Sequence, residues 1–538
     1  MALLRGSVGE GCGQGTRFPK RQTAAIPAAF IHAPRLLKPA PAGDSPGERE
    51  LGLLERFSNT AAEAWAGARD AAARVLTPAV RLGVTGLSRS GKTVFITSLV
   101  HNILAGNALP FFEPLAQGRI VRAYLEPQPD DAVPRFDYEG NLEKLTAAEP
   151  HWPESTRQIS ELRLTIEYEP AGTVWRALGT GTLHLDIVDY PGEWLLDLPL
   201  LDLSYEEWSR QAITLAREAA RASAAKDWLA FLASADALAP QDEQTAQQGA
   251  GLFTLYLRKC REEALSLSSL PPGRFLMPGD LAGSPAFTFF PLETREGEAA
   301  PPESLWAMMA RRYRSYKTHV VQPFFRDHFA RLDRQIVLAD VLTAINAGPD
   351  AVADLERALT DILRCFRQGQ NGWLSLISGR RIDRIVFAAT KADHLHQANH
   401  DRLEAILRLI AAKSIERASF VGAEVRAFAL ASVRATREAQ ARQGSQTLPC
   451  IIGTPLAGEH LGERIFSGAE ELAIFPGDLP ENPELAVSPE WRRPGQATAH
   501  FVRFRPPRQP VPEFGRGAVL PHIRLDRALN FLIGDRLA

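Results

Sequence analysis

Cysteine is scarce in this chain of 538 residues: there are four, Cys12, Cys260, Cys365 and Cys450, and no two form a C-x-x-C pair. That spacing argues against a disulfide framework or a zinc site and fits a reducing compartment. A run of about 18 uninterrupted apolar residues, the length a membrane-spanning helix needs, is also missing. So is an excess of either charge. The formal net charge is −2, and nothing at whole-chain level selects nucleic acid or an anionic membrane. There is no internal repeat. What is present is an ordinary soluble composition, 45% hydrophobic, 23% charged and 8% aromatic, in a chain long enough for two or three domains.

Residues 1–50 are rich in Gly, Pro, Ala and Arg and lack the compact apolar stretch of a secretory signal. They read as a disordered leader, or as sequence upstream of the true start. Residues 51–79 read as a helix, with Leu51, Leu54, Phe57, Ala61, Trp65 and Ala68 at three- and four-residue steps, ended by Pro78. Strand-length apolar segments follow at Val80–Thr85, Glu161–Tyr168, Thr182–Asp189, Gln335–Val341, Arg384–Thr390 and Val425–Ala431. Several precede helix-like stretches, which predicts an α/β protein with a largely parallel sheet.

Helical patterns interrupt that alternation between about 202 and 332. A capping box, Ser204 with Glu207, opens a long helix placing Trp208, Ala212, Leu215, Ala216 and Ala219 on one face. Further helical patterns run over Leu252–Leu265 and Ser304–Leu332, separated by a Pro/Gly-rich loop, Leu270–Pro302. After about 440 short strand-like pieces lead to a final helix near Leu525–Leu537.

The strongest local signal is Gly86-Leu-Ser88-Arg-Ser90-Gly91-Lys92-Thr93, a full G-x-x-x-x-G-K-[ST] match between a strand and the helix-like run from Val94. Its glycines let backbone N–H groups turn towards phosphates, and the new helix presents its positive end to them. Lys92 is expected at the β- and γ-phosphates and the Thr93 hydroxyl on Mg²⁺. Asp189-Tyr-Pro-Gly192 ends an apolar strand. Alone it is a turn with proline inside, but after a phosphate loop the carboxylate can hold Mg²⁺ through water and Gly192 can sense the γ-phosphate.

Thr390-Lys391-Ala392-Asp393 follows a third apolar strand, where an aspartate can accept two hydrogen bonds from guanine that adenine does not offer. The Lys391 stem can cover the base, with His394 beside it. Ser432 and Val433, at the end of a fourth strand, are placed to meet the guanine carbonyl through backbone N–H groups.

The order phosphate loop, D-x-x-G, [NT]-K-x-D and a small Ser-containing loop resembles the GTPase class of P-loop proteins. Gly86–Leu104, Trp152–Leu162 and Leu520–Ala538 narrow the resemblance to the YcjX-like family, bacterial GTPases associated with stress responses, over residues 51–538. The resemblance implies a three-layer P-loop sandwich that binds guanine nucleotide with Mg²⁺, and a cytoplasmic location or one peripheral to the inner membrane. It also implies a helical insertion. The expected division is a leader (1–50), an N-terminal helix (51–79), a first part of the GTPase domain (80–201) and the helical insertion (202–332). A second part of the GTPase domain (333–440) and a C-terminal extension (441–538) complete it. Two positions depart from the common pattern: Thr390 stands where asparagine is usual, and Glu193 follows the D-x-x-G where Ras-like proteins carry glutamine.

The first mobile loop of such a protein supplies a threonine to Mg²⁺. Thr156, in Trp152-Pro-Glu-Ser155-Thr156-Arg157, is the expected ligand, with Arg157 adding positive charge at the phosphates and Trp152 covering part of the nucleotide. Without the resemblance this segment reads as a surface turn. The expected activity is hydrolysis of GTP to GDP and phosphate. An ATPase, and a nucleotide-gated scaffold with incidental turnover, stay open, and the motifs leave the protein partner unidentified. Arg311–Lys317 mixes basic and aromatic residues, but Trp306, Met309, Tyr313, Tyr316 and Val320 at helical spacing read as a core stripe rather than a nucleic-acid surface. His396 and His400 are spaced for a metal pair but lack a third ligand.

Overall fold

A computed structural model describes residues 78–538 except 88, 107, 173–175, 177–178, 263, 282, 295–298, 365–381, 421, 444–445, 489–500 and 509–518. The leader, the expected helix up to residue 77, and Ser88 therefore lie outside the described residues.

The centre is a seven-stranded sheet. Its strands are β1 (Ala79–Gly86), β2 (Ile120–Glu126), β3 (Ser160–Tyr168), β4 (Gly181–Asp189), β5 (Arg334–Ala339), β6 (Arg384–Ala389) and β7 (Glu424–Ala429), in spatial order β2-β3-β4-β1-β5-β6-β7. The pairs β4–β1, β1–β5, β5–β6 and β6–β7 are parallel, and β3 is antiparallel to both β4 and β2. The fold is a mainly parallel α/β sandwich of the P-loop type.

β5 is buried along its whole length, as a central parallel strand covered on both faces must be. Alternation along the strands sorts the core into two layers. Ile336 and Leu338 of β5, with Val80, Leu82 and Val84 of β1, pack against α1 (Lys92–Ala105) and the C-terminal helix Leu525–Ile533. Val337 and Ala339 face the opposite layer, which continues into the helices inserted between β4 and β5. Among the described residues, no helix is long and apolar enough to cross a membrane.

Several boundaries differ from expectation, each for a local reason. β5 ends at Ala339 because Asp340 caps the following helix, accepting from Thr343 N at 3.1 Å. The Ser204–Glu207 capping box forms, but its helix, α2 (Tyr205–Ala216), stops short. Glu218 turns extended and opens α3 (Ala219–Ser234), so Ala219 is exposed on a second helix and Ile213 takes the inner face. The helix expected over Leu252–Leu265 is α4, Glu243–Arg261, and starts earlier because Asp242 caps it.

The Ser304–Leu332 pattern is α5 (Leu305–Tyr316), a π-helical turn over Lys317–Val321 and a short helix, Gln322–Asp327. Pro323 has no N–H for the α ladder, and the ladder widens just before it. Met309, Tyr313, Tyr316 and Val320 are buried in this stretch as a core stripe. β2 had no counterpart in the sequence reading. The strand-like pieces after 440 include an antiparallel pair, β8 (Arg437–Gln443) and β9 (Gln446–Gly453), with Leu472–Ile474 on the other edge of β9.

Candidate functional site

The loop joining β1 to α1 is shaped by its glycines. Gly91 caps α1 at φ +82°, and the space where its Cβ would lie is open, so backbone there can approach a ligand. Lys92 is buried, and its Nζ donates to the Gly86 carbonyl at 2.9 Å, curling back over the loop. Gly192, after β4, lies against the same carbonyl: a Cβ there would sit 2.0 Å from Gly86 O. The D-x-x-G turn and the phosphate loop are therefore in backbone contact, which only glycine at 192 permits.

Three oxygen-bearing side chains from separate elements meet beside Lys92. Thr93 Oγ1 lies 3.2 Å from Thr156 Oγ1, and Thr156 Oγ1 donates to Asp189 Oδ2 at 2.7 Å. Asp189 Oδ1 is buried without a hydrogen-bond partner among the described residues. Burial pushes the Asp189 carboxyl up to about 6, against the opposing pull of Lys92 and the Thr156 hydrogen bond. Two hydroxyls and a buried carboxylate with a spare oxygen form a hard-donor set suited to Mg²⁺ rather than to a softer metal.

At the far end of the cleft Lys391 adopts φ +62° and turns the chain so that Asp393 points inward. Asp393 is buried and accepts from Ala435 N at 2.8 Å. The Lys391 ammonium pairs with Asp340. Burial alone would raise the Asp340 carboxyl, but Lys391 and the Thr343 hydrogen bonds outweigh it and hold the group below its ordinary value. His394 is buried, which lowers its pKa below the ordinary imidazole value, and its ring lies edge-on to Phe504 at 5.3 Å. Ser98 Oγ of α1 donates to Ser432 O at 2.6 Å and fixes the loop after β7 to the phosphate-loop helix.

One cleft of about 260 Å³ brings these segments together. Ser90, Gly91, Lys92, Thr93 and Val94 line it beside Trp152, Ser155 and Thr156, and Thr390, Lys391, Asp393, His394, Ser432 and Val433 complete it. Gly86, Asp189 and Gly192 stand behind this lining. Arg157 is not in it. Its side chain is 80% exposed and 3.5 Å from Glu154, in a neighbouring cavity. The loop carries Arg157 outward on the residue next to Thr156, so its charge faces solvent instead of the cleft.

Sequence reasoning missed Leu456, Arg503 and Phe504, which close the cleft from the C-terminal region. Trp152 Nε1 donates to Phe504 O at 2.7 Å, linking the loop before β3 to that region. His396 Nδ1 accepts from Ala398 N in a local turn, and His400 is buried.

The segment Gly192–Asp202 is held from the other side by the inserted helices. Asp197 is buried and accepts from Gly273 N at 2.6 Å, Arg274 N at 3.1 Å and Tyr316 Oη at 2.6 Å. Trp194 Nε1 donates to Met277 O at 3.1 Å, and the Arg274 guanidinium lies 3.5 Å from the Trp194 ring centre.

Curated relatives and a family pattern match this chain. The chain is 38% identical over 468 residues to the "Ras-like GTPase YcjX" of Escherichia coli, spanning 85% of this chain and 96% of the relative. It is 35% identical over 479 residues to the protein of the same name from Shewanella oneidensis, spanning 85% and 94%. The pattern of the YcjX-like family, DUF463, matches residues 80–537. With the family pattern covering most of the chain and two relatives matched over nearly their whole length, the chain belongs to the YcjX-like family.

Proposed function

We propose that the protein binds GTP with Mg²⁺ and hydrolyses its β–γ phosphoanhydride, as a regulatory GTPase. The observation that carries this reading is the single cleft lined by Lys92, Thr156 and Asp393, which come from three distant parts of the chain. Relatives named Ras-like GTPase support it.

In this reading the Gly86–Thr93 loop and the N-terminus of α1 receive the phosphates, and Lys92 exchanges the Gly86 carbonyl for phosphate oxygens. Thr93, Thr156 and Asp189 would hold Mg²⁺, which neutralises charge on the triphosphate. Gly192 N–H would meet the γ-phosphate. Asp393 would accept from guanine, Lys391 would cover the base, and Trp152 and Phe504 would close the cleft against water. Catalysis is then positioning and charge neutralisation, with no covalent intermediate on the protein.

Titrating fluorescent guanine and adenine nucleotides with and without Mg²⁺, alongside phosphate release, tests the reading. The expected result is tight guanine-nucleotide binding and GTP-dependent phosphate release, with adenine nucleotides far weaker. Preference for ATP would replace it with an ATPase. The proposed setting, a stress-linked role in the cytoplasm or at the inner membrane face, rests on the family resemblance alone.

A further inference from the structure

A carboxylate directly after the D-x-x-G turn is awkward for a GTPase. Glu193 occupies that position, buried, on a segment whose first residue touches the phosphate loop. An unpaired carboxylate there would repel the γ-phosphate and pay for its own desolvation.

The inserted helices answer both problems. Arg261, the last residue of α4, places Nη1 3.7 Å from Glu193 Oε1. The distance is an ion pair but too long for a hydrogen bond. That nitrogen is buried and has no hydrogen-bond partner among the described residues, so it retains capacity for another acceptor. Arg261 also lines a cavity of about 620 Å³ with Arg89 of the phosphate loop and with Glu154 and Ser155 of the first mobile loop, all three of which also line the nucleotide cleft. A cation carried by the insertion thus lines, with Arg157, a cavity that adjoins the cleft at Arg89, Glu154 and Ser155.

We propose that Arg261 is the positioning residue that makes Glu193 usable in hydrolysis. By neutralising the carboxylate, Arg261 lets Glu193 stand beside the γ-phosphate and orient the attacking water, the task an uncharged glutamine performs without a partner. This inference rests on the GTP-hydrolysis reading above. It assigns to the insertion the positive charge that the sequence assigned to Arg157.

A double-mutant cycle tests it, using the full chain, single-turnover GTP hydrolysis and fluorescent-GDP affinity. Arg261→Ala is expected to slow hydrolysis about 10- to 100-fold when Glu193 is present, the scale of coupling within one charged network. In a Glu193→Gln background the same substitution is expected to change the rate less than about twofold, because no charge remains to neutralise. Arg261→Lys should restore most of the rate, and GDP affinity should hold throughout. Equal slowing in both backgrounds would overturn the proposal, since Arg261 would then act on the phosphate itself or only on the fold. Normal hydrolysis by Arg261→Ala would overturn it as well. If Arg261→Ala loses GDP binding, Arg261→Gln carries the comparison with the same criteria. Absence of GTP hydrolysis in the unmodified protein would instead defeat the functional reading, a result separable from any difference among variants.

Discussion

Thr156 Oγ1 donates to Asp189 Oδ2 at 2.7 Å, joining the loop before β3 to the C-terminal end of β4 beside Lys92. A proposed Mg²⁺ site can keep that bond, because the hydroxyl donates its proton to the carboxylate while a lone pair on the same oxygen faces the metal, and Asp189 Oδ1 stays available. Thr156→Ala should therefore spare GDP affinity while slowing GTP hydrolysis by about tenfold or more, as loss of a contact made around the γ-phosphate does. Arg157→Ala, whose side chain forms an exposed pair, should change both by less than about twofold. Single-turnover rates beside GDP titrations compare the two directly.

The Asp189 carboxyl, raised by burial to about 6, carries a pH prediction. Below that value its protonated form prevails, and a metal must displace the proton to bind. The Mg²⁺ concentration giving half-maximal GTP hydrolysis should be flat above about pH 6 and rise by about tenfold per pH unit below it. Asp189→Asn should remove that acidic limb. A Mg²⁺ requirement unchanged well below pH 6 would place the metal elsewhere.

Lys92→Ala removes a charge-assisted contact from the phosphate site. It should cost about 2–3 kcal/mol or more of nucleotide binding while the fold persists. Circular dichroism with a fluorescent GDP titration checks both halves, and unchanged affinity would mean the loop does not receive phosphates.

Asp197 ties the segment after the D-x-x-G turn to the inserted helices. Asp197→Ala would strand three donors, Gly273 N, Arg274 N and Tyr316 Oη, each worth about 1–3 kcal/mol when buried and unpaired. Burial raises the Asp197 carboxyl to about 6, so its favourable contribution is fully present below the ordinary carboxylate value and is lost as pH rises through about 6. The substitution should accordingly cost about 1 kcal/mol more near pH 5 than near pH 7. Denaturant unfolding at the two pH values measures the difference.

Legibility in the sequence followed how local each feature is. The Gly86–Thr93 loop, Asp189–Gly192 and Thr390–Asp393 are contiguous runs at the ends of apolar strands, and their order along the chain marks the two weaker ones. Thr156 was reachable only through the family resemblance, because its loop has the make-up of a surface turn. Phe504 carries no local signal: its contact with Trp152 crosses 352 residues of chain. The same holds for Arg261, one basic residue among several at a helix end until the fold sets it against Glu193. β2 escaped because most of its residues are partly exposed and do not alternate in burial, which leaves no period to read. The break between α2 and α3 turns on the backbone of Glu218, which side-chain spacing does not report.

The central claim is that Asp393 reads guanine in the cleft that Lys92 and Thr156 complete. Titrating the unmodified chain and Asp393→Asn with guanosine, xanthosine and adenosine diphosphates tests it most directly. An asparagine amide donates where the carboxylate only accepted, matching the carbonyl that xanthine carries in place of guanine's amine. The unmodified chain should prefer GDP, and Asp393→Asn should lose GDP affinity and gain xanthosine diphosphate, with adenosine diphosphate weak for both. Equal GDP affinity in the two proteins, with no gain for xanthosine, would contradict the account and leave Thr390–Asp393 as an ordinary loop after β6.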